Sequence, residues 1–429
     1  MVNCAVAEPD TVAAAGRAMA AAATIARGNG RSYGDSSLNP DGVVATRRLS
    51  HMLAFDDETG MLVCEGGVLL ADIIEAMLPR GWFAPVTPGT RFVTVGGMIA
   101  SDVHGKNHHG AGSFGDHVAW LDLALPDGRV LRCSATEEPE LFAATVGGMG
   151  LTGVIVRAAF GLLRVRTARI RQRTVRTPTL EAAFATFEAA HATTYSVAWI
   201  DGLASGGDIG RSVVFLGEHA GIRDLKGAAR GTPFARSAKP PRRVPLDFPG
   251  FALSRTPVRL FNHVYYRAQA AGDAVVDIYP YFYPLDALLE WNRIYGRRGF
   301  VQYQCVLPLA ESMAGMRRLL AEIARAGSAS FLAVLKRMGP QSFGLLSFPM
   351  EGYTLAMDFP ATPDNLALLD RLDAITVEHG GRIYLAKDAR VAPAVMAAGY
   401  PRLDEFRDVR RRYGLSGRIE SLQSRRLEI

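Results

Sequence analysis

The stretch that most constrains this chain is Thr94-Val-Gly-Gly-Met-Ile-Ala-Ser-Asp-Val-His-Gly-Lys-Asn-His-His109. Paired glycines, Gly96 and Gly97, let a backbone approach a flat or charged ligand closely. A polar knot follows: Asp102, His104, Lys106, Asn107, His108 and His109. That many donors beside a glycine turn suit an anionic or polar cofactor better than a packed core. A second glycine loop lies upstream, Arg27-Gly-Asn-Gly-Arg-Ser-Tyr-Gly-Asp35. The two loops read together as the cradle of one large cofactor.

A literal GxGxxG occurs at Gly148, Gly150 and Gly153, but its context excludes a nicotinamide fold. That fingerprint needs a strand before it, a helix after it and an acid about 20 residues on. Here a helical stretch (140–145) precedes, strand-like 154–157 follows, and no Asp or Glu occurs from Leu141 to Leu180. These glycines are expected in a loop near the cofactor.

Around these loops the pattern alternates short strands and helices. Residues 11–22 read as a helix with Asp10 as N-cap, 23–26 as a strand, and 61–64 as another. Leu70, Ile73, Ile74, Met77 and Leu78 fall at helical spacing. Strand-like 92–95 leads into the glycine pair. Residues 119–125 and 130–133 flank a Pro-Asp-Gly turn, a hairpin signal.

The character changes after about Arg166. Strands are predicted at 195–200, 213–216, 300–307, 331–335 and 353–358. Helices are predicted over Met313 to Ile323, ended by Gly327, and over 363–379 with Thr362 as N-cap. This is α+β patterning on a largely antiparallel sheet. A strand-loop pattern returns from Arg382.

At 429 residues the chain is too long for one ordinary core, which predicts two domains. Its hydrophobic (48%) and charged (21%) fractions are those of a globular protein rather than a disordered one. Cys4, Cys64, Cys133 and Cys305 are scattered without a CxxC pair, so they read as reduced core residues. No apolar run is long enough to span a bilayer, and the Ala-rich start is broken by Glu8, Asp10 and Arg17. It therefore reads as an amphipathic helix, and the chain as cytoplasmic. Residues 221–267 hold ten Lys/Arg against Asp224 and Asp247. They read as a long mobile basic loop, either simply solvated or facing phosphate, anionic lipid or nucleic acid.

His104, His108, His109 and His117 suggest a metal cluster, but Gly105 and Gly110 disfavour the helix that a four-residue spacing needs. No metal is expected. Nucleic-acid binding would need interleaved basic and aromatic residues and would leave two glycine cradles unexplained, so none is expected.

GRSYGD (30–35), PGTRFVTVGG (88–97), SDVHGKNHH (101–109), GSFGDH (112–117), ATVGGMGLTG (144–153), EWNRIYG (290–296), VQYQ (301–304), GGRIYLAKDAR (380–390) and SRRLE (424–428) run through nearly the whole chain. Together they resemble the FAD-binding oxidoreductases of the vanillyl-alcohol oxidase type, and within that family the decaprenylphosphoryl-β-D-ribose 2′-oxidase branch. The resemblance implies a two-domain α+β flavoprotein. An FAD-binding domain (1–166, with a C-terminal return over 382–429) would flank an inserted antiparallel-sheet substrate domain (167–381).

By position, the resemblance implies FAD contacts from Arg27, Gly28, Asn29, Gly30, Arg31, Ser32, Tyr33, Gly34 and Asp35 on to Leu38. Further contacts would come from Gly89, Thr94, Val95, Gly96, Gly97, Ser101, Asp102, Val103, His104, Ile155 and Tyr384. FAD would be held without a covalent bond. The substrate side would be His104, Lys106, Tyr33, Gln302, Gln304, Lys336 and Lys387, with Lys387 the leading candidate base.

The implied reaction oxidises a sugar secondary alcohol to a ketone, with C2 of a polyprenyl-phosphate ribose as the position. A short-chain reductase partner would complete an epimerisation to the arabinose form. Basic, apolar-flecked 221–267 would reach the lipid substrate by peripheral membrane contact. The nearest alternative is the same chemistry on a free sugar, alditol or aldonolactone. Three positions depart from the branch's pattern: Phe282 stands where it carries Tyr, and Thr354 and Ala356 where it carries Asn and Cys.

Overall fold

The computed structural model describes residues 2–21, 23–236, 240–328 and 331–429. Lys239, one of the ten basic residues of 221–267, lies outside them.

Two antiparallel sheets carry the molecule. The first has five strands in the order Met52–Phe55, Met61–Glu65, Val154–Gly161, Val118–Ala124, Val130–Ser134. The hairpin at Pro126-Asp-Gly128 forms as expected, with Leu125 N–H donating to Arg129 O at 2.9 Å. A small parallel sheet beside it (Val6–Ala7, Val43–Ala45, Ile25–Arg27) delivers the chain into the first glycine loop.

The second sheet has eight strands in the order Gly272–Asp277, Arg169–Thr177, Ser212–His219, Tyr195–Ile200, Ala333–Met338, Gly352–Pro360, Phe300–Pro308, Arg382–Ile383. The last of these comes from the tail, so the C-terminal segment is hydrogen-bonded into this sheet, with Cys305 opposite Ile383. Helix Leu309–Ala326 covers the sheet with buried Met316, Leu319, Leu320 and Ile323, each contributing about 1.5–3 kcal/mol of apolar burial. It ends on Gly327 at φ +69°, as its sequence predicts. Helix Pro363–Glu378 starts on Thr362, whose hydroxyl accepts from Asn365 N–H at 3.3 Å.

Three local expectations are corrected. The first helix, Val12–Ala21, is capped by Thr11, whose Oγ1 accepts from Ala14 N–H at 3.2 Å, while Asp10 instead pairs with Arg48 at 3.3 Å. Residues 92–95 form no strand: only Thr94 makes an isolated bridge to Leu69, and Val95 already begins the helix Val95–Ala100. Gly96 and Gly97 therefore lie in a helical turn with negative φ, and it is their lack of a side chain that matters there. Residues 221–267 are not structureless throughout, since Arg255–Ala268 is a helix. Buried Val258 and Asn262 anchor it, while Leu260, Phe261 and Val264 are exposed.

Among the described residues, no helix is long and apolar enough to cross a membrane.

Candidate active site

One face of the eight-stranded sheet collects the polar groups. Strand pairing sets Gln302 opposite Asp358, Gln304 opposite Ala356, and Lys336 opposite Thr354. Side chains alternate across a strand, so Gln302, Gln304, Thr354, Ala356, Asp358 and Lys336 share that face. Ala356 at its centre carries only a methyl group and is half-buried rather than covered.

Three segments close over this face. Gly30 and Gly34 have φ of +60° and +71°, which turn the first glycine loop sharply. A side chain at Gly34 would collide with the Asp388 carbonyl, so loop and tail touch backbone to backbone. Tyr33 N–H donates to Ala386 O at 2.9 Å, and Tyr384 N–H to Gln304 O at 2.9 Å. The second glycine stretch joins through Tyr384, whose hydroxyl donates to Ser101 O at 3.0 Å. The 385–387 turn so fixed carries Lys387, with its Nζ 4.1 Å from the centre of the Tyr33 ring. This cation–π contact does not neutralise the charge.

Lys106 donates to the Tyr281 carbonyl and lies 4.1 Å from that ring's centre. Among the described residues, none of the ammonium groups of Lys106, Lys336 and Lys387 is ion-paired to a carboxylate. Burial, with repulsion from Lys336, lowers Lys106 to about 7. Burial, with repulsion from Lys387, lowers Lys336 to about 7. Burial lowers Lys387 to about 8, with Asp358 opposing. Asp358 is itself pushed up to about 6 by burial, against hydrogen bonds from Gln302 and Tyr295 and the nearby Lys387. The Tyr295 hydroxyl donates to it at 3.0 Å. Burial, then Asp358, raises the Tyr33 phenol.

His104 is held neutral first by burial, then by Lys336, His108 and Lys387. Its Nε2 is 3.0 Å from Gln304 Nε2, and its Nδ1 is buried with no hydrogen-bond partner among the described residues.

The other expected residues divide by what they touch. Arg27 bonds Ser37 Oγ at 2.9 Å, Asn29 bonds Phe92 O at 2.7 Å, and Thr94 accepts from Gly97 N–H at 3.2 Å. These contacts shape the loops. Gly28 packs on the Thr94 hydroxyl too closely for any side chain, whereas Gly89 faces open space. Arg31 and Ser32 lie on the loop's accessible side. Asp35 is paired to Arg426 at 2.9 Å, and buried Asp102 accepts from Gly115 N–H at 2.9 Å and from Ser347. Val95, Val103 and Ile155 are core residues under the cradle. His108 and His109 are tied to Ser113 Oγ (3.2 Å) and Thr193 O (2.8 Å), and no group of metal ligands is assembled among the described residues.

Sequence reasoning missed Asp358 and Tyr295. The sequence offered only the lone acid of the strand Gly352–Pro360; its place opposite Gln302 follows from the strand pairing.

These features fit FAD. An unpaired cationic cluster, an orphaned imidazole nitrogen and loops pressed too tightly for side chains all suit a large anionic group with a flat polar ring. That chemistry is the chemistry of an FAD-dependent oxidoreductase, and comparisons with known proteins agree. An FAD binding domain family model matches residues 4–134, and a relative 37% identical over 94% of this chain shows that the chain belongs to the vanillyl-alcohol-oxidase-type family of these enzymes.

It is 37% identical over 410 residues to the decaprenylphosphoryl-beta-D-ribose oxidase of Mycolicibacterium smegmatis, covering 94% of this chain and 89% of that one. It is 36% identical over 376 residues to an uncharacterized protein in the mprA 5′ region of Streptomyces coelicolor, covering 84% and 100%. A putative D-arabinono-1,4-lactone oxidase of Neurospora crassa matches at 26% over 134 residues, 31% of this chain and 24% of that one.

Proposed function

We propose that this chain oxidises C2 of a polyprenylphosphoryl-β-D-ribose to the ketone, the first half of an epimerisation to the arabinose form. The observation that carries the reading is the sheet face itself. Gln302, Gln304, Lys336 and Asp358 converge with Lys387 around Ala356, a donor-rich surface suited to a polyhydroxylated ring. The long match to an oxidase named for such a substrate supports it.

FAD, when bound, supplies the hydride acceptor. The two glycine stretches, Arg27 to Asp35 and Thr94 to His104, with Gly89 and Tyr384, would hold it without a covalent bond, over a floor that includes Val95, Val103 and Ile155 and is braced by buried Asp102. Lys387 takes the proton of the C2 hydroxyl on a neutral Nζ, which burial makes available near neutral pH. Gln302 and Gln304 orient the sugar, and Lys106, Lys336 and Tyr33 complete the wall. The chain then divides as an FAD-binding part (1–166 with 382–429) around a substrate part (167–381). A short-chain reductase acting on the keto sugar would complete the epimerisation. The exposed apolar and basic face of Arg255–Ala268 would contact the membrane that holds the lipid substrate.

A substrate carrying deuterium at C2 tests this. Cofactor reduction should slow relative to the protium form, and the product should lose that deuterium. Oxidation of free sugars or lactones, with none of the lipid-linked ribose, would replace the reading with its alternative.

A further inference from the structure

A cavity of about 530 Å³ lies between the 247–253 segment and the turn Gly296-Arg-Arg-Gly299. Gly296 and Gly299 take φ of +67° and +70°, and Gly299 N–H donates to Gly296 O at 3.1 Å. A Cβ on Gly296 would stand 2.7 Å from the Phe248 carbonyl, so only glycine lets the turn seat there. Phe248 N–H in turn donates to Arg293 O at 2.8 Å. The turn thus presents two adjacent cations, Arg297 and Arg298, on the cavity rim. Among the described residues, the carboxylate paired with this turn is Asp247, 4.0 Å from Arg297 Nε, and the Arg297 side chain is 94% exposed. Its guanidinium keeps free N–H groups for a second anion. Phe248, Pro249 and Leu253 supply apolar wall.

Tyr295 joins this cavity to the sheet face. It lines the cavity, while its hydroxyl reaches Asp358, which also accepts from Gln302. A ligand whose ring sits at Gln302 would therefore have this cavity as its neighbouring compartment. Two arginines beside an apolar wall match a phosphodiester joined to a hydrocarbon chain.

We infer that this cavity is the subsite for the phosphate and first isoprene units of the substrate. Arg297 and Arg298 hold the phosphate, and Phe248, Pro249 and Leu253 hold the chain. The inference rests on the proposed function and narrows it, because a free sugar or lactone would leave the cavity without a role.

The test is calorimetric titration of the FAD-loaded protein with farnesyl phosphate, inorganic phosphate and farnesol. Farnesyl phosphate should bind saturably, and each half-ligand at least about tenfold more weakly. R297A/R298A, on an exposed turn, should weaken farnesyl phosphate by about tenfold or more. Leu253→Asp should weaken it comparably. Absence of saturable binding, an unchanged Kd in R297A/R298A, or inorganic phosphate binding as tightly as farnesyl phosphate would overturn the assignment. The reading of the reaction fails separately: tight farnesyl phosphate binding without oxidation of the lipid-linked ribose sinks the reaction and leaves the subsite.

Discussion

The Gln304 amide nitrogen lies 3.0 Å from His104 Nε2 and 3.2 Å from the Thr354 hydroxyl oxygen, and this pair of contacts fixes the imidazole's tautomer. Thr354 spends its one hydrogen on the Cys305 carbonyl at 2.8 Å. Its oxygen can then only accept from Gln304, so the NH₂ end of the amide faces both neighbours. His104 Nε2 must therefore accept, which leaves the proton of the neutral ring on Nδ1, the buried nitrogen with no partner among the described residues.

Replacing Thr354 with Val removes the hydroxyl that orients the amide. The expected result is a mixture of His104 tautomers in ring ¹⁵N shifts and roughly a tenfold loss in kcat/KM, about 1.4 kcal/mol. Thr354→Ser keeps both hydrogen-bonding roles and should behave like the parent. A T354V protein with the parent's His104 shifts would remove Thr354 from this role.

Lys387 acts as a base only when neutral. With its ammonium titrating at about 8, kcat/KM should rise with pH through that region and level off above it. Lys387→Met should lose that limb and about 10²–10⁴-fold in rate. Steady-state profiles of the two proteins check this, and activity within a few-fold of the parent would assign the proton to another group.

The same burial makes stability depend on pH. Lys106 and Lys336 titrate at about 7 in the fold and Lys387 at about 8, against an ordinary 10.5. Above pH 7 the unfolded chain holds more protons on these lysines than the folded one, so their contribution to stability rises with pH until the unfolded lysines titrate. The window to measure is pH 7 to 8.5, because the buried thiols Cys64, Cys133 and Cys305 act in the opposite sense above it. In calorimetry the FAD-free protein should gain about 2 °C or more across that window. Lys336→Met should melt higher at pH 7 and show a shallower rise. An identical slope in the variant would contradict the buried-charge account.

Ala356 occupies the centre of the site face, and Cys305 is buried with its thiol pushed up to about 12. Thiol-directed electrophiles should therefore leave this site unmodified, as intact-mass spectrometry can verify. Ala356→Cys should gain one adduct. An adduct on the parent mapped to the site would refute this.

Much of this was legible in the sequence because it rests on local rules. The Pro-Asp-Gly hairpin, the Thr362 cap and the Gly327 stop are set by neighbouring residues. The two-residue spacing of Gln302 and Gln304 places both on one strand face. Asp358, Tyr295 and the tautomer relay were not legible, since they depend on which strand pairs with Phe300–Pro308 and in what register. Thr94 to Gly97 misled in the other direction. Strand-like Phe92 and Val93 and two glycines suggest a strand and turn, yet the Thr94 cap and tight packing against Gly66 favour a short helix.

The visible spectrum of the FAD-loaded protein under anaerobic conditions, before and after adding polyprenylphosphoryl-β-D-ribose, decides both cofactor and substrate. The expected result is a yellow protein whose flavin band bleaches on addition. A protein that stays yellow with this substrate but bleaches with a free sugar or aldonolactone would contradict the proposed substrate. A colourless protein that cannot be reconstituted with FAD would contradict both the cofactor and the reaction.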